Sequence, residues 1–173
     1  MMIITFGTAK PDFALRCWKS QSRYAERCGV DFRHIMIAPK IFPNQDKLDI
    51  ITKYGSGRVL YLDWDVELSN DAENVFNRDD RMLMFPRQKN YAEPKEWANT
   101  GMMLGEHSDF LKMKEHFTGF LSRQQRDNYL REENAIYQSA IAADILITQD
   151  TPKGFIHLLG PSKWGKNYAP TTY

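Results

Sequence analysis

The most informative stretch of the sequence reads Arg58-Val59-Leu60-Tyr61-Leu62-Asp63-Trp64-Asp65, an apolar segment followed directly by two carboxylates. Residues 58–62 are nearly all apolar, which is typical of a strand buried on both faces of a parallel sheet. Open α/β sheets bind their ligands at the carboxyl ends of such strands. Side chains two residues apart on an extended chain point the same way, so we expect Asp63 and Asp65 to converge on one divalent cation. The alternative is a turn or capping role, because Asp-x-Asp arises by chance about once in a chain of this length.

Strand and helix patterns alternate on both sides of this stretch. The first half predicts strands at residues 2–8, 30–38 and 58–62 and helices at residues 12–27 and 46–54, which indicates a parallel α/β sheet. The second half predicts strands at residues 81–87, 100–104, 145–149 and 155–158 and helices at residues 108–121 and 131–142. Residues 161–173 are interpreted as a polar tail.

The composition is that of an ordinary globular domain. The chain has 173 residues, 42% hydrophobic and 26% charged, so we interpret residues 1–173 as a single domain. Its 23 Lys and Arg residues against 22 Asp and Glu residues leave a net charge of +1, which argues against a nucleic-acid partner. No apolar run approaches the roughly 20 residues of a membrane span, and the start has no signal-peptide pattern. Two cysteines, Cys17 and Cys28, are too few for a disulfide framework, so we expect a cytoplasmic protein.

A second polar segment lies far downstream, in Phe155-Ile156-His157-Leu158-Leu159-Gly160-Pro161-Ser162-Lys163-Trp164. A neutral imidazole at His157 is suited to be a third metal ligand. Gly160 lets the backbone approach a phosphate closely, and Lys163 brings a positive charge to it. The alternatives are a structural histidine at a strand end and a lysine that lies beside a tryptophan on the surface.

Taken together, these motifs resemble a known family. The order is a strand with Asp63-Trp64-Asp65, then Asn99-Thr100-Gly101 leading into an apolar strand, then His157-x-x-Gly160-x-x-Lys163. This order resembles the GT-A glycosyltransferases, and most of all glycosyltransferase family 8, which includes glycogenin and bacterial lipopolysaccharide galactosyltransferases. The resemblance implies a single α/β GT-A domain, a Rossmann-like mixed sheet flanked by helices. It also implies an Mn²⁺ (or Mg²⁺) ion, a nucleotide-sugar donor, namely a UDP-sugar, and transfer with retention.

The resemblance assigns the metal and diphosphate groups residue by residue. Asp63, Asp65 and His157 would bind the metal, with Asp63 also touching the nucleotide ribose. Gly160 and Lys163 would hold the diphosphate, and Lys163 would offset the charge that develops on the leaving nucleoside diphosphate. Asp65 and Lys163 are therefore expected to be catalytic.

Further positions would contact the rest of the nucleotide sugar. By resemblance, Asn99 and Gly101 line the site of the donor sugar. Lys47 lies near the position at which the family has a basic residue that contacts the donor. The end of the first predicted strand would cradle the nucleobase and ribose, through Thr5, Gly7, Thr8 and Lys10.

One position departs from the family pattern. Where relatives have Asp-Gln at the start of a helix, this sequence has Glu133-Asn134. Glu133 is expected to hydrogen-bond the sugar hydroxyls, and Asn134 to face the anomeric carbon, so both are candidate catalytic residues. The alternative is ordinary polarity in the first turn of a helix.

Two other functions fit part of the sequence. A degenerate GT-A domain would bind a nucleotide sugar or glycan without turnover. A phosphohydrolase of the haloacid-dehalogenase type also carries Asp-x-Asp after a strand, but that family expects a small hydroxyl residue where this chain has Glu67. The acceptor, whether carbohydrate, lipid-linked or protein, is left open by the sequence, as is oligomerisation.

Overall fold

The computed structural model of the protein describes residues 1–7, 12–37, 46–86, 98–123 and 129–158. In these ranges the chain forms eight strands and four α-helices. In chain order they are β1 (Met2–Gly7), α1 (Asp12–Cys28), β2 (Asp31–Met36), α2 (Lys47–Tyr54), β3 (Arg58–Leu62), β4 (Val66–Leu68), β5 (Met82–Phe85), β6 (Asn99–Glu106), α3 (His107–Arg123), α4 (Tyr129–Ala142), β7 (Ile147–Gln149) and β8 (Phe155–His157). A single turn of 3-10 helix, Val75–Asn77, lies between β4 and β5.

Six of the strands form a mixed central sheet in the order β2-β1-β3-β6-β5-β7. Strand β1 is parallel to both β2 and β3, which confirms the parallel arrangement predicted for the first half. Strand β6 runs antiparallel to β3 and β5, and β7 runs parallel to β5. The sheet as a whole is therefore mixed and flanked by helices, which confirms the predicted fold class. Strands β4 and β8 pair antiparallel as a separate ribbon.

Apolar side chains fill both faces of the sheet. Along β3, Val59 and Tyr61 pack in one cluster with residues of α2, α3 and α4, while Leu60 and Leu62 pack in a second cluster with residues of α1 and of the β4–β8 ribbon. This alternation is the period of two that a strand imposes on its side chains. A strand buried on both faces has to be apolar throughout, which explains the sequence of β3.

Helix α1 covers one face of the sheet because its buried residues recur every three or four positions. They are Ala14, Cys17, Trp18, Ser20, Gln21, Tyr24 and Ala25. Gln21 is the polar exception among the large side chains on this face, and it lies next to the carboxyl end of β3.

In the part of the chain that the structure describes, no helix combines the length and apolar character needed to cross a membrane.

Candidate metal centre and sugar site

A tight turn, residues 63–66, connects β3 to β4 and carries both carboxylates of the Asp-x-Asp motif. The Val66 N–H donates to the Asp63 carbonyl at 3.0 Å, and this bond closes the turn. The Asp63 N–H donates to the Gly101 carbonyl of β6 at 2.8 Å, and the Leu158 N–H donates to the Asp65 carbonyl at 2.9 Å. The two aspartates were expected to converge because of strand alternation, and they do converge, but for a different reason. Strand β3 ends at Leu62, and it is the turn that brings Asp63 and Asp65 together.

Three potential metal ligands meet at this turn. Oxygen atoms of Asp63 and Asp65 and a ring nitrogen of His157 all lie within 4.8 Å of one another. His157 comes from β8, which lies beside the turn because it pairs with β4 in a register that places His157 opposite Val66. The His157 Nε2 and the Asp65 Oδ1 are 3.3 Å apart, and both residues are buried. Carboxylates suit both Mn²⁺ and Mg²⁺, and an imidazole ligand favours the transition metal Mn²⁺ of the two, so the residues present fit the predicted ion.

A buried lysine compensates the charge of Asp63. The Lys47 Nζ lies 3.2 Å from each carboxylate oxygen of Asp63, and the Tyr61 hydroxyl donates to the Asp63 Oδ1 at 2.5 Å. Only 2% of the Lys47 side chain is exposed. Burial alone would lower the pKa of Lys47, but the carboxylates of Asp63, Glu132 and Glu133 raise it above its ordinary value. Lys47 is therefore charged, and its ammonium fixes the orientation of Asp63.

Glu132 completes this buried network, and sequence reasoning missed it. Its Oε1 lies 3.5 Å from the Lys47 Nζ and accepts a hydrogen bond of 3.0 Å from the Thr100 hydroxyl, to which Lys47 also donates at 2.9 Å. Its Oε2 is buried and makes no hydrogen bond with the described residues. The signal was present in the helical spacing, because residues 132, 135, 136, 139 and 140 are all buried and share one face of α4. Glu133, the residue singled out from the sequence, is only half-buried.

The raised pKa of Glu132 predicts a pH-dependent stability. Burial raises the pKa of Glu132 to about 8, against the opposing effect of Lys47. The unfolded chain therefore releases this proton at lower pH than the folded protein does, so stability falls as pH rises from about 4.5 through about 8. Replacing Glu132→Gln removes the titrating group, so we expect the free energy of unfolding of metal-free protein to fall less steeply over this range than in the wild type. Urea unfolding across the range measures it, with Glu115→Gln on the exposed face of α3 as the control. Equal slopes for the wild type and Glu132→Gln would contradict this expectation.

Asn99, Gly101 and Glu133 form a second group beside the metal ligands. The Asn99 Oδ1 accepts from the Gly101 N–H, and its Nδ2 donates to the Glu133 Oε1, both at 2.9 Å. A β-carbon at Gly101 would lie 2.6 Å from the His157 Cε1, so glycine gives the imidazole its space. Burial raises the pKa of Glu133 to about 7, with Lys47 acting in the opposite direction and Asp63 in the same direction. The structure thus brings Asn99, Gly101 and Glu133 to the side of the cluster that His157 occupies.

We expect Gly101→Ala to damage this site. The added methyl group would clash with His157 and would lie 2.9 Å from the Asn99 Oδ1, and overpacking of this kind costs about 1–3 kcal/mol. Unfolding in urea measures the loss, and an Mn²⁺ titration shows whether His157 has moved. Gly119→Ala is the control, because a β-carbon there meets nothing within 4 Å and a helical alanine stabilises by about 0.5–1 kcal/mol. A Gly101→Ala variant as stable as the wild type, with unchanged Mn²⁺ affinity, would contradict the contact.

Of the remaining predicted site residues, three lie in the part of the chain that the structure describes and four lie outside it. Thr5 is fully buried in β1, and its hydroxyl has no hydrogen-bond partner among the described residues. Gly7 lies under the Trp64 ring, so close that a β-carbon would be 2.7 Å from the ring edge. Asn134 is half-buried on α4, and its Oδ1 makes no hydrogen bond in the ranges that the structure describes. The predictions for Thr8, Lys10, Gly160 and Lys163 fall outside the described residues.

Comparison with known proteins gives matches only at the level of structure. No protein-family model and no curated protein sequence matches the chain. A glycosyltransferase involved in the glycosylation of the major capsid of PBCV-1 matches with a TM-score of 0.66, over 86% of this chain and 81% of that one, at 12% identity.

The glycosyltransferase GlyE of Streptococcus pneumoniae TIGR4 also matches. One of its structures has a TM-score of 0.53 at 12% identity and covers 79% of this chain. The apo form has a TM-score of 0.56 at 15% identity and covers 86% of this chain. The match spans only 42% and 45% of the GlyE chains. At such low identity these likenesses concern the fold, and this chain has the fold of these glycosyltransferases.

Proposed function

We propose that this protein is a metal-dependent glycosyltransferase that moves a sugar from a UDP-sugar to an acceptor hydroxyl with retention, as in glycosyltransferase family 8. The observation that carries the proposal is the convergence of Asp63, Asp65 and His157 within 4.8 Å. These ligands lie at the carboxyl end of β3, where open α/β sheets bind nucleotides. The fold shared with glycosyltransferases of known structure supports the same function.

The residues of the cluster divide the work between them. Asp63, Asp65 and His157 would hold Mn²⁺ or Mg²⁺, which when bound supplies Lewis-acid stabilisation of the departing diphosphate. Lys47 and Tyr61 hold the Asp63 carboxylate in one orientation, so that little reorganisation is needed when the metal and nucleotide bind. Lys163 and Gly160 are proposed to contact the diphosphate.

The donor sugar is proposed to lie beside Asn99 and Glu133. Glu133 is tied to Asn99 by a hydrogen bond of 2.9 Å, which fixes the direction of its carboxylate. Such a carboxylate can accept hydrogen bonds from sugar hydroxyls, and these contacts select one sugar over another. Asn134 follows on the same helical turn of α4 and is proposed to face the anomeric carbon. The acceptor is proposed to be the hydroxyl of a carbohydrate, a lipid-linked saccharide or a protein.

Two alternatives make different predictions. A degenerate domain would bind the nucleotide sugar without turnover, and a phosphohydrolase would release inorganic phosphate through an aspartyl-phosphate at Asp63. The environment of Asp63 disfavours a nucleophilic role, because hydrogen bonds and charge from Lys47 and Tyr61 reduce the nucleophilicity of its carboxylate, whereas each oxygen keeps a lone pair that can bind a metal. Glu67, where such phosphohydrolases have a small hydroxyl residue, pairs with Arg16 at 3.2 Å.

A thermal-shift titration with UDP, GDP and several nucleotide sugars, each with and without Mn²⁺, tests the proposal. A ligand at a hundred times its dissociation constant stabilises the folded state by about 2.7 kcal/mol, which for a chain of this size raises Tm by about 5–10 °C. We expect such a shift only when Mn²⁺ and a uridine nucleotide are both present. If none of the nucleotides raised Tm in the presence of Mn²⁺, the proposal would be overturned, and phosphate-ester hydrolysis would then be assayed.

A further inference from the structure

Helix α1 presents one buried carboxamide to the turn that carries Asp63 and Asp65. Gln21 is completely buried, and its Nε2 donates to two carbonyl oxygens, that of Asp63 at 3.1 Å and that of Val66 at 2.8 Å. These are the first and last residues of the 63–66 turn. One side chain therefore spans the turn and bonds both of its ends.

The neighbouring residue of the helix reinforces this attachment. The Ser20 hydroxyl donates to the Cys17 carbonyl at 2.7 Å and accepts from the Leu68 N–H at 3.0 Å. Two consecutive residues of α1 thus fasten the 63–66 turn and the strand β4 that follows it. The position of Asp65 relative to His157 therefore depends on α1 as well as on the β4–β8 ribbon.

The type of side chain at position 21 suits this task. A carboxamide nitrogen has two N–H groups, which here serve two carbonyl oxygens at once. Without the carboxamide, the Val66 carbonyl would lose this buried hydrogen bond and the Asp63 carbonyl would keep the bond from the Val66 N–H, so removing the carboxamide favours another arrangement of the turn. The Gln21 Oε1 is buried and makes no hydrogen bond within the part of the chain that the structure describes, where it is the nitrogen of the group that is used.

We propose that Gln21 is a positioning residue of the metal centre: its two hydrogen bonds hold the 63–66 turn in the conformation that brings Asp65 to His157. The inference rests on the proposed function insofar as a metal binds there. It also predicts how the metal-free protein behaves, because the turn has the same hydrogen bonds without the ion. Partners that orient metal ligands typically change metal affinity by about 10–100-fold when they are removed.

Comparison of Gln21→Met with Tyr24→Phe tests the inference. Methionine keeps the length of the side chain but has no N–H group. Tyr24 is a matched control on the same helix, because its hydroxyl donates to the Glu73 carbonyl at 2.8 Å and accepts from the Val75 N–H at 3.0 Å. Each substitution removes two buried hydrogen bonds, but only Gln21 contacts the turn that carries the metal ligands.

The first readout needs no metal. Hydrogen exchange, followed by NMR in metal-free protein, reports on the Val66 amide that closes the turn and the Leu158 amide that bonds the Asp65 carbonyl. We expect both amides to exchange at least about 10-fold faster in Gln21→Met than in Tyr24→Phe, because local opening is governed by local contacts. Equal exchange rates at Val66 in the two variants would overturn the inference.

The second readout is the Mn²⁺ dissociation constant from a calorimetric titration. We expect it to rise by about 10–100-fold in Gln21→Met and to stay within about twofold of the wild type in Tyr24→Phe. Faster exchange with unchanged Mn²⁺ affinity would also overturn the inference, since the turn would then not control the ligands. Wild-type protein that binds no Mn²⁺ would instead overturn the proposed function, and the exchange comparison would still decide whether Gln21 holds the turn.

Discussion

Asp65→Asn is expected to lower the rate of sugar transfer by roughly 10²–10³-fold and to abolish Mn²⁺ binding. Asp65 is 3% exposed, and its Oδ1 lies 3.3 Å from the His157 Nε2, so its carboxylate lies at the centre of the ligand cluster. Asparagine preserves the shape of the side chain but removes the negative charge that a divalent cation needs. Calorimetric titration with Mn²⁺ and a steady-state transfer assay measure the two effects.

The matched control is Glu67→Gln, which removes a carboxylate two residues further along the chain. Glu67 pairs with Arg16 at 3.2 Å in a contact where the arginine is 49% and the glutamate 22% exposed, and ion pairs near the surface contribute about 0–1 kcal/mol. We expect this variant to bind Mn²⁺ and to turn over like the wild type. Equal losses in both variants, or full activity in Asp65→Asn, would contradict the assignment of Asp65 as a metal ligand.

Lys47→Met is expected to destabilise the protein by about 3–5 kcal/mol. The substitution leaves the Asp63 carboxylate without the ammonium that lies 3.2 Å from each of its oxygens. An uncompensated charge in a buried position is costly, whereas an exposed pair has water as an alternative partner. Urea unfolding of metal-free protein measures the loss.

Two further variants separate charge compensation from packing. Combining Lys47→Met with Asp63→Asn removes the carboxylate that the ammonium neutralises, so we expect the double variant to regain part of the lost stability. Lys114→Met breaks an exposed ion pair with Asp49, in which the lysine is 45% exposed, and is expected to cost less than about 1 kcal/mol. A cost for Lys47→Met as small as that for Lys114→Met would show that Lys47 does not neutralise the site.

The fold could be predicted from the sequence where local patterns agree with the final environment. Residues 58–62 are apolar because β3 is buried on both faces, and α1 is amphipathic because one of its faces packs on the sheet. The strand β4 was not predicted, because three residues directly after a turn have too short a pattern. Its pairing with β8, which is about 90 residues away in the sequence, is a non-local contact that no window along the chain reports.

The candidate site could be predicted only in part, for the same reason. Asp63, Asp65 and His157 stand out as residue types that bind metals after apolar strands, and the structure brings them together. Glu132 and Gln21 did not stand out, because a polar residue within an amphipathic helix is ordinarily at the surface. Their roles depend on partners contributed by other elements, Lys47 from α2 and the 63–66 turn, respectively.

Release of nucleoside diphosphate from a panel of nucleotide sugars tests the central claim most directly. The assay is run with Mn²⁺ and with a chelator, on wild-type protein and on Asp65→Asn, and it measures nucleoside diphosphate and inorganic phosphate separately. We expect UDP to be released from one or a few UDP-sugars in the presence of Mn²⁺, with release lost on chelation and in Asp65→Asn. Wild-type protein that releases no nucleoside diphosphate from any donor, or that releases inorganic phosphate instead, would contradict a metal-dependent glycosyltransferase.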